Sequence, residues 1–339
     1  MKRKAVLIIS KNENNQVVTS MYLEIVLSMM KKAGFECLRT NDINSINRKR
    51  DFIILDTCKE AFKYWVKGYK NIIIWIQGVV PEERLMMGQP KYKYYAHSLI
   101  EKIMLNKAKF LFMVSEAMLH HYEHKYGLTL DGKTYIMPCY NEDHLDDNSF
   151  EDDEKYQKNT FLYAGSLQKW QCFEETVNVY KMIEAQLSNT KLIVYTDEKD
   201  KALSIVEAKQ IKNYLVDYVP ASELGDKIKN LKFGFVLRKD DVVNEVATPT
   251  KISNYISHGI IPIYSSCLRS FDEYNKRIKL AIPLDLNNIN VGIARIIKYA
   301  NKNIESPKMK QVCENVFKDY YNRNRYINNG SKQLKRFLD

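Results

Sequence analysis

Two hydrophobic rhythms take turns along this chain. Short apolar runs rich in β-branched and aromatic residues lie at 5–10 (AVLIIS), 51–56 (DFIILD), 71–76 (NIIIWI), 110–114 (FLFMV), 160–164 (TFLYA), 191–196 (KLIVYT), 233–237 (FGFVL) and 280–284 (LAIPL), each the length of one buried strand. A further short strand precedes Asp217. Between the runs the period changes. Val17, Met21, Ile25 and Met29 share one stripe of a helix over Gln16–Lys32, and helical segments follow around Phe62–Tyr69, at 97–109, after the cap Ser115, at Phe173–Ala185 and from Asn290 to Leu338. Strands alternating with helices predict parallel α/β sheets.

The pattern is sharpest at RKDDVVNEVATPTKISNYISHGIIPI, Arg238 to Ile263. An apolar run leads into a polar loop, then Thr248-Pro249-Thr250-Lys251 opens a helix that stops at Gly259 before the next apolar run. Thr248 is the expected cap, with Pro249 in the first turn. A helix start flanked by Arg238 and carrying Lys251 is a place to hold phosphate. Gly165-Ser166, at the end of the TFLYA run and close to Lys169, is a second candidate of the same kind.

At 339 residues the chain suits two domains, expected at 1–155 and 156–318, with a C-terminal helix at 319–339 crossing back to the first. The acidic run Glu142–Glu154 is the expected linker. No apolar run is long enough to span a bilayer, and MKRKAVLIIS meets Lys11-Asn12-Glu13 in place of a cleavage site, so the expected location is cytoplasmic. The six cysteines are scattered without metal-ligand spacing. His120 and His124 fall one turn apart, but the acidic base of the H-E-x-x-H pattern is missing, so they read as surface histidines. A net charge of +11 calls for an anionic partner: nucleic acid, anionic lipid or a phosphorylated small molecule. The stretch Arg84–Tyr95 (RLMMGQPKYKYY) mixes basic, aromatic and methionine side chains, as suits a headgroup-level membrane contact, a nucleic-acid face or the lining of an interdomain cleft.

The order YAGSLQKWQ (163–171), YVPASEL (218–224) and LRKDDVVNEVATPTKISNYISHGIIPI (237–263), preceded by WIQGVVPEE (75–83), MVSEAMLHHYEHKYG (113–127) and IMPC (136–139), resembles retaining glycosyltransferases of the GT-B fold, family 4, above all bacterial enzymes of capsular and O-antigen polysaccharide assembly. The resemblance implies two Rossmann-like domains facing a cleft, the second binding a UDP- or GDP-linked sugar and the first a glycan or polyprenyl-linked acceptor. It implies that Gly165, Ser166, Lys169 and Thr250 approach the diphosphate, that Arg238 and Lys251 carry the catalytic charge, and that Tyr218, Val219 and Pro220 flank the base with Glu223 on the ribose. Lys11, Asn12, Gln77, Gly78 and Glu82 fall on the acceptor side. No cofactor and no metal are implied, since no D-x-D pair is present; nucleic acid is not an expected partner, and a peripheral contact with the anionic inner face of the membrane is.

The sequence also departs from that pattern. Where the family often carries two glutamates eight apart, this chain has Val246 and Asn254, with Glu245 one position early. Ser166 stands where an arginine is usual, and no histidine follows the WI run. Three rivals remain open at this level: a Rossmann dehydrogenase, disfavoured because no G-x-G-x-x-G follows the first strand; a nucleic-acid-binding α/β protein; and a glycosyltransferase-like partner subunit without turnover.

Overall fold

The computed structural model describes residues 3–8, 17–40, 42, 44 and 46–338, so the loop at Lys11–Asn15, with the candidates Lys11 and Asn12, lies outside the described residues. In chain order the elements of the first half are β1 (Lys4–Ile8), α1 (Val17–Lys32), β2 (Glu36–Thr40), β3 (Phe52–Leu55), α2 (Cys58–Val66), β4 (Ile72–Ile76), α3 (Val80–Met86), α4 (Lys91–Lys107), β5 (Phe110–Met113), α5 (Glu116–Tyr126) and β6 (Thr134–Ile136). The second half runs β7 (Asn159–Ala164), α6 (Phe173–Glu184), β8 (Thr190–Tyr195), α7 (Lys199–Ala208), β9 (Tyr214–Asp217), α8 (Leu224–Ile228), β10 (Phe233–Val236), α9 (Val242–Glu245), α10 (Lys251–Ser257), β11 (Ile261–Ser265), α11 (Arg269–Ile278), β12 (Ile282–Leu284), α12 (Ile289–Ala300), α13 (Ser306–Asp319) and α14 (Arg323–Leu338).

The chain divides into two compact units. The first holds Met1–Cys139, Val246–Thr248 and Asn322–Asp339, the second Tyr140–Glu245 and Pro249–Tyr321. In the first unit β2-β1-β3-β4-β5-β6 form one sheet and in the second β12-β11-β10-β7-β8-β9 another, with every strand pair parallel. Central strands such as FIIL and IIIWI are buried along their whole length, which is why they read as unbroken apolar runs. The edge strand β2, ECLRT, is half exposed and carries no such run; the sequence pattern passes over it for that reason.

In the first unit Tyr22 of α1 stacks on Trp75 of β4 with centroids 5.3 Å apart. The helix α14 packs on α1, where a Cβ at Gly330 would overlap the Met29 thioether. Ser115 caps α5 by accepting from the Met118 amide at 3.1 Å. In the second unit Phe161 stacks on Phe233 of the neighbouring strand at 4.9 Å. Gly234 of β10 lets the Tyr255 ring of α10 lie against the sheet, since a Cβ there would fall 2.6 Å from the ring's Cδ2. The acidic stretch 142–154 is built into this unit: the Asp146 amide donates to the Ser257 carbonyl at 3.0 Å, and Phe150 is buried.

Lys155 is fully buried beside that stretch and donates to the carbonyls of Ser149, at 3.2 Å, and His258. Burial lowers its pKa from 10.5 to about 7. Between those values the folded chain binds fewer protons than the unfolded one, so this group makes stability rise with pH, by up to about 1.4 kcal/mol per unit. Urea unfolding of the parent between pH 7.5 and 9.5 should show that rise, and Lys155→Met should flatten it. Equal slopes for the two chains would show that Lys155 does not titrate in this window.

Candidate functional site

In the second sheet β7 and β10 are neighbours, yet the chain continues from β7 to β8 on one side and from β10 to β11 on the other. Their following loops therefore diverge and leave a crevice at the carboxyl edge, the usual ligand position in an open parallel sheet. Gly165 leaves β7 with φ of +142°, a conformation that favours glycine. Its amide donates to the Tyr195 carbonyl at 2.9 Å. A Cβ at Gly165 would lie 2.8 Å from Cε of Lys251, so the absence of a side chain is what admits the lysine.

Lys251 opens α10. Its ammonium donates to Gln171 Oε1 at 2.7 Å and lies 5.1 Å from the centroid of the Tyr163 ring. Burial, and then the charge of Arg238, bring its pKa down to about 7. Arg238 follows β10 and is only 7% exposed. Its amide donates to Ser265 Oγ at 2.8 Å, and its guanidinium donates to the Leu237 carbonyl at 2.7 Å. Burial lowers its pKa as well, and among the described residues neither cation pairs with a carboxylate. Two desolvated positive charges without a counterion are costly, and an anion would relieve both.

The structure corrects the expected helix start. Thr248 does not cap α10; it belongs to the first unit, where its hydroxyl accepts from the Cys139 amide at 2.9 Å. Thr250 occupies the cap position without a side-chain hydrogen bond. After the Gly165-Ser166 turn, α6 begins at Phe173, where the sequence pattern places it. Along that loop the Ser166 carbonyl accepts from the Tyr163 hydroxyl at 2.6 Å and the Leu167 amide donates to Glu198 Oε2 at 2.7 Å. Lys169 is exposed and lines a hollow of about 170 Å³ with Lys201 and Lys239.

Tyr218, Val219 and Pro220 follow β9 at the same carboxyl edge; Tyr218 is 54% exposed and Glu223 is exposed. Glu223 holds the cap position of α8, without a side-chain hydrogen bond. Asn254 is half-buried, and its Oδ1 is buried without a hydrogen-bond partner among the described residues. Glu245 is occupied by Arg269 at 3.0 Å. Gln171, Tyr163 and Ser265 were not singled out from the sequence. Gln171 lies inside the YAGSLQKWQ stretch, but its role depends on a partner 80 positions away.

In the first unit Gln77 and Gly78 follow β4 and line a cavity of about 610 Å³ with Asp56, Thr57, Cys58 and Glu83. A Cβ at Gly78 would overlap the Glu83 carboxylate. Glu82 faces elsewhere: it pairs with Lys125 at 2.7 Å and His121 at 3.3 Å. Burial alone would raise its pKa, but the hydrogen bonds from His121 and Lys125 outweigh it and hold the carboxyl below its usual range. Among the described residues no three His, Cys, Asp or Glu side chains gather as a metal ion would require, and no helix is long and apolar enough to cross a membrane.

No protein-family model matches the sequence, and no curated protein sequence is similar to it. Solved structures are similar in fold. Sucrose-phosphate synthase from Thermosynechococcus elongatus superposes with a TM-score of 0.69 at 12% identity over 99% of both chains. The lipopolysaccharide outer core galactosyltransferase WaaB gives 0.62 at 13% identity over 97% of this chain and 99% of that one. A mutant of S. aureus TarM in complex with fondaparinux, alpha-GlcNAc-glycerol and UDP gives 0.63 at 11% identity over 88% of this chain. The present chain spans only 57% of the TarM chain. With its two parallel six-stranded units and these likenesses, the protein has the GT-B fold of glycosyltransferases.

With a pKa of about 7, Lys251 is mostly neutral at pH 8, and a bound anion beside it would restore its charge. Sulfate carries no proton at pH 8, so its binding, followed by calorimetry in two buffers of different ionisation heat, should take up close to one proton. Lys251→Met should take up none. Uptake unaffected by the substitution would place the titrating group elsewhere.

Proposed function

We propose that this protein is a glycosyltransferase that moves a sugar from a UDP- or GDP-linked donor to a glycan or lipid-linked acceptor. The observation that carries this reading is the buried pair of cations, Arg238 and Lys251, which among the described residues pair with no carboxylate, where the β7 and β10 loops diverge. Glycosyl transfer builds negative charge on the departing diphosphate while the sugar becomes oxocarbenium-like, so fixed positive charge at the leaving group is the largest contribution such a site can make. Arg238 offers a guanidinium held by the Leu237 carbonyl, and Lys251 an ammonium directed by Gln171. The GT-B likeness and the UDP bound in the TarM complex support a nucleotide-diphosphate sugar as donor.

On this reading transfer proceeds with retention, by front-face attack assisted by the donor phosphate, and Arg238 and Lys251 supply the charge without metal. Gly165 and Ser166 would approach the diphosphate with Thr250, and Tyr218, Val219 and Pro220 would flank the base. The unsatisfied Asn254 amide oxygen could accept from a ribose hydroxyl in place of the family's second glutamate. The cavity beside Gln77 and Gly78 would take the acceptor. Membership of family 4 and a place in capsule or O-antigen assembly belong to the same proposal. Each cation is expected to contribute about 1.5–3 kcal/mol to diphosphate binding. In titrations with UDP, GDP, ADP and CMP, with Mg²⁺ and then with EDTA, one diphosphate should bind in both conditions, and Arg238→Ala or Lys251→Ala should weaken it tenfold or more. Binding of oligonucleotides but of none of these nucleotides would sink the reading.

A peripheral membrane contact is part of the proposal. Tyr92, Tyr95 and Leu99 recur at helical spacing on α4 and are 68%, 66% and 60% exposed, with Lys91 beside them. An aromatic stripe flanked by lysines suits the headgroup layer. Flotation with anionic vesicles should fall for Tyr92→Ser/Tyr95→Ser and for Lys91→Glu/Lys93→Glu; flotation equal to the parent's in both would remove α4 from membrane contact.

A further inference from the structure

The opposite edge of the first sheet carries a second concavity, of about 870 Å³. Five adjacent strands start there, in the order β1-β3-β4-β5-β6: Arg3 precedes β1, Phe52 opens β3, Asn71 precedes β4, Lys109 precedes β5 and Lys133 precedes β6. Its cations are Arg3, Lys49, Arg50, Lys107, Lys109 and Lys133, and none of its described lining residues is Asp or Glu. Such a volume is that of a small-molecule site.

Part of this charge has a structural use. The ammonium of Lys133 donates to the carbonyls of Leu105 at 2.6 Å, Asn106 at 2.9 Å and Ala108 at 3.1 Å, closing the carboxyl end of α4. Arg3 donates to the Leu338 carbonyl at 2.6 Å. The same need does not explain Lys49, Lys107 and Lys109, which are exposed around the rim. The turn that presents Lys49 and Arg50 is held in place: Asn47 Oδ1 accepts from both of their amides, at 3.1 and 3.2 Å, and Asn71 Nδ2 donates to the Lys49 carbonyl at 3.0 Å. Asp51, the nearest acid in sequence, is 6% exposed, and its two oxygens accept from the amides of Lys4 and Asn47. Burial, and then Lys109, lower the pKa of Lys133, as expected where like charges are crowded.

We propose that this pocket binds an anion carrying clustered phosphate groups, at a site distinct from the Arg238–Lys251 crevice in the other unit. Phosphates would offset the mutual repulsion of the six cations, and the ordered turn would present two of them without a further loss of chain entropy. The proposal is independent of the transferase reading, because it rests on no residue of that site.

The test uses the full chain with Lys251→Ala, so that the crevice is weakened throughout, and compares it with the same chain carrying Lys107→Glu/Lys109→Glu. Both reversed positions are exposed, so thermal melting should match; if the pair fails to fold, Lys49→Glu replaces it. One arm titrates inorganic tripolyphosphate, and the other floats the chains with phosphatidylglycerol vesicles. Tripolyphosphate affinity at least tenfold weaker in the reversed chain supports a soluble ligand, with binding that falls steeply as salt rises. Flotation lost on reversal, with no tripolyphosphate binding, supports the same pocket acting on lipid phosphate. If neither readout changes on reversal, the proposal is overturned.

Discussion

Every strand in each sheet runs the same way, and this constraint allots the chemistry. A parallel sheet has one edge where strands end and another where they begin, and its crossovers bring helix amino ends to the first and helix carboxyl ends to the second. In the second unit the exit edge gains its crevice because the chain leaves β7 and β10 in opposite directions. Gly165 and Arg238 are the residues that follow those two strands, or nearly so. In the first unit the entry edge gathers the basic residues that precede β1, β3, β5 and β6. The net charge of +11 is thus partly sorted by topology into two positions with different surroundings.

The two positions meet different electrostatic conditions. At the crevice the charges are buried, and the protein supports them with neutral dipoles: the Leu237 carbonyl for Arg238, the Gln171 amide oxygen and the Tyr163 ring face for Lys251. A carboxylate would neutralise them more cheaply, but it would also repel an incoming diphosphate. Lys155 and Lys232 show the same solution used structurally. Each is buried with its ammonium on backbone carbonyls, and each has its pKa lowered, to about 7 and about 8. What separates Lys251 from them is that its support comes from side chains, Gln171 on the loop and Tyr163 on β7, beside a glycine whose absent side chain makes room for it.

Most of the strand and helix order was legible in the sequence, because buried parallel strands must be apolar throughout and their crossover helices must be apolar on one face. The strand β2 was not, since an exposed edge strand needs no apolar run. The cap at Thr248 was misread for a different reason. Local rules see Thr-Pro before a helix, but the Thr248 hydroxyl is taken by the Cys139 amide, 109 positions away. Arg238, Lys251 and Gly165 stand out in the sequence by residue type and position relative to strand ends, and the structure brings them together. The supports that give the set its character, Gln171 and Ser265, were not, because each depends on a contact across the sheet that no local spacing encodes.

The contrast between buried and exposed cations also separates the kinds of recognition available to the two edges. A buried pair is little screened by salt, is fixed in direction, and can discriminate by geometry, as leaving-group stabilisation requires. Exposed lysines around a rim are screened within about 8 Å at physiological ionic strength and move on long stems. They attract phosphate in number more than in orientation. That difference follows from burial alone: on the proposed readings, the exit edge of the second sheet would act on one phosphate geometry, and the entry edge of the first would hold an anion whose shape matters less.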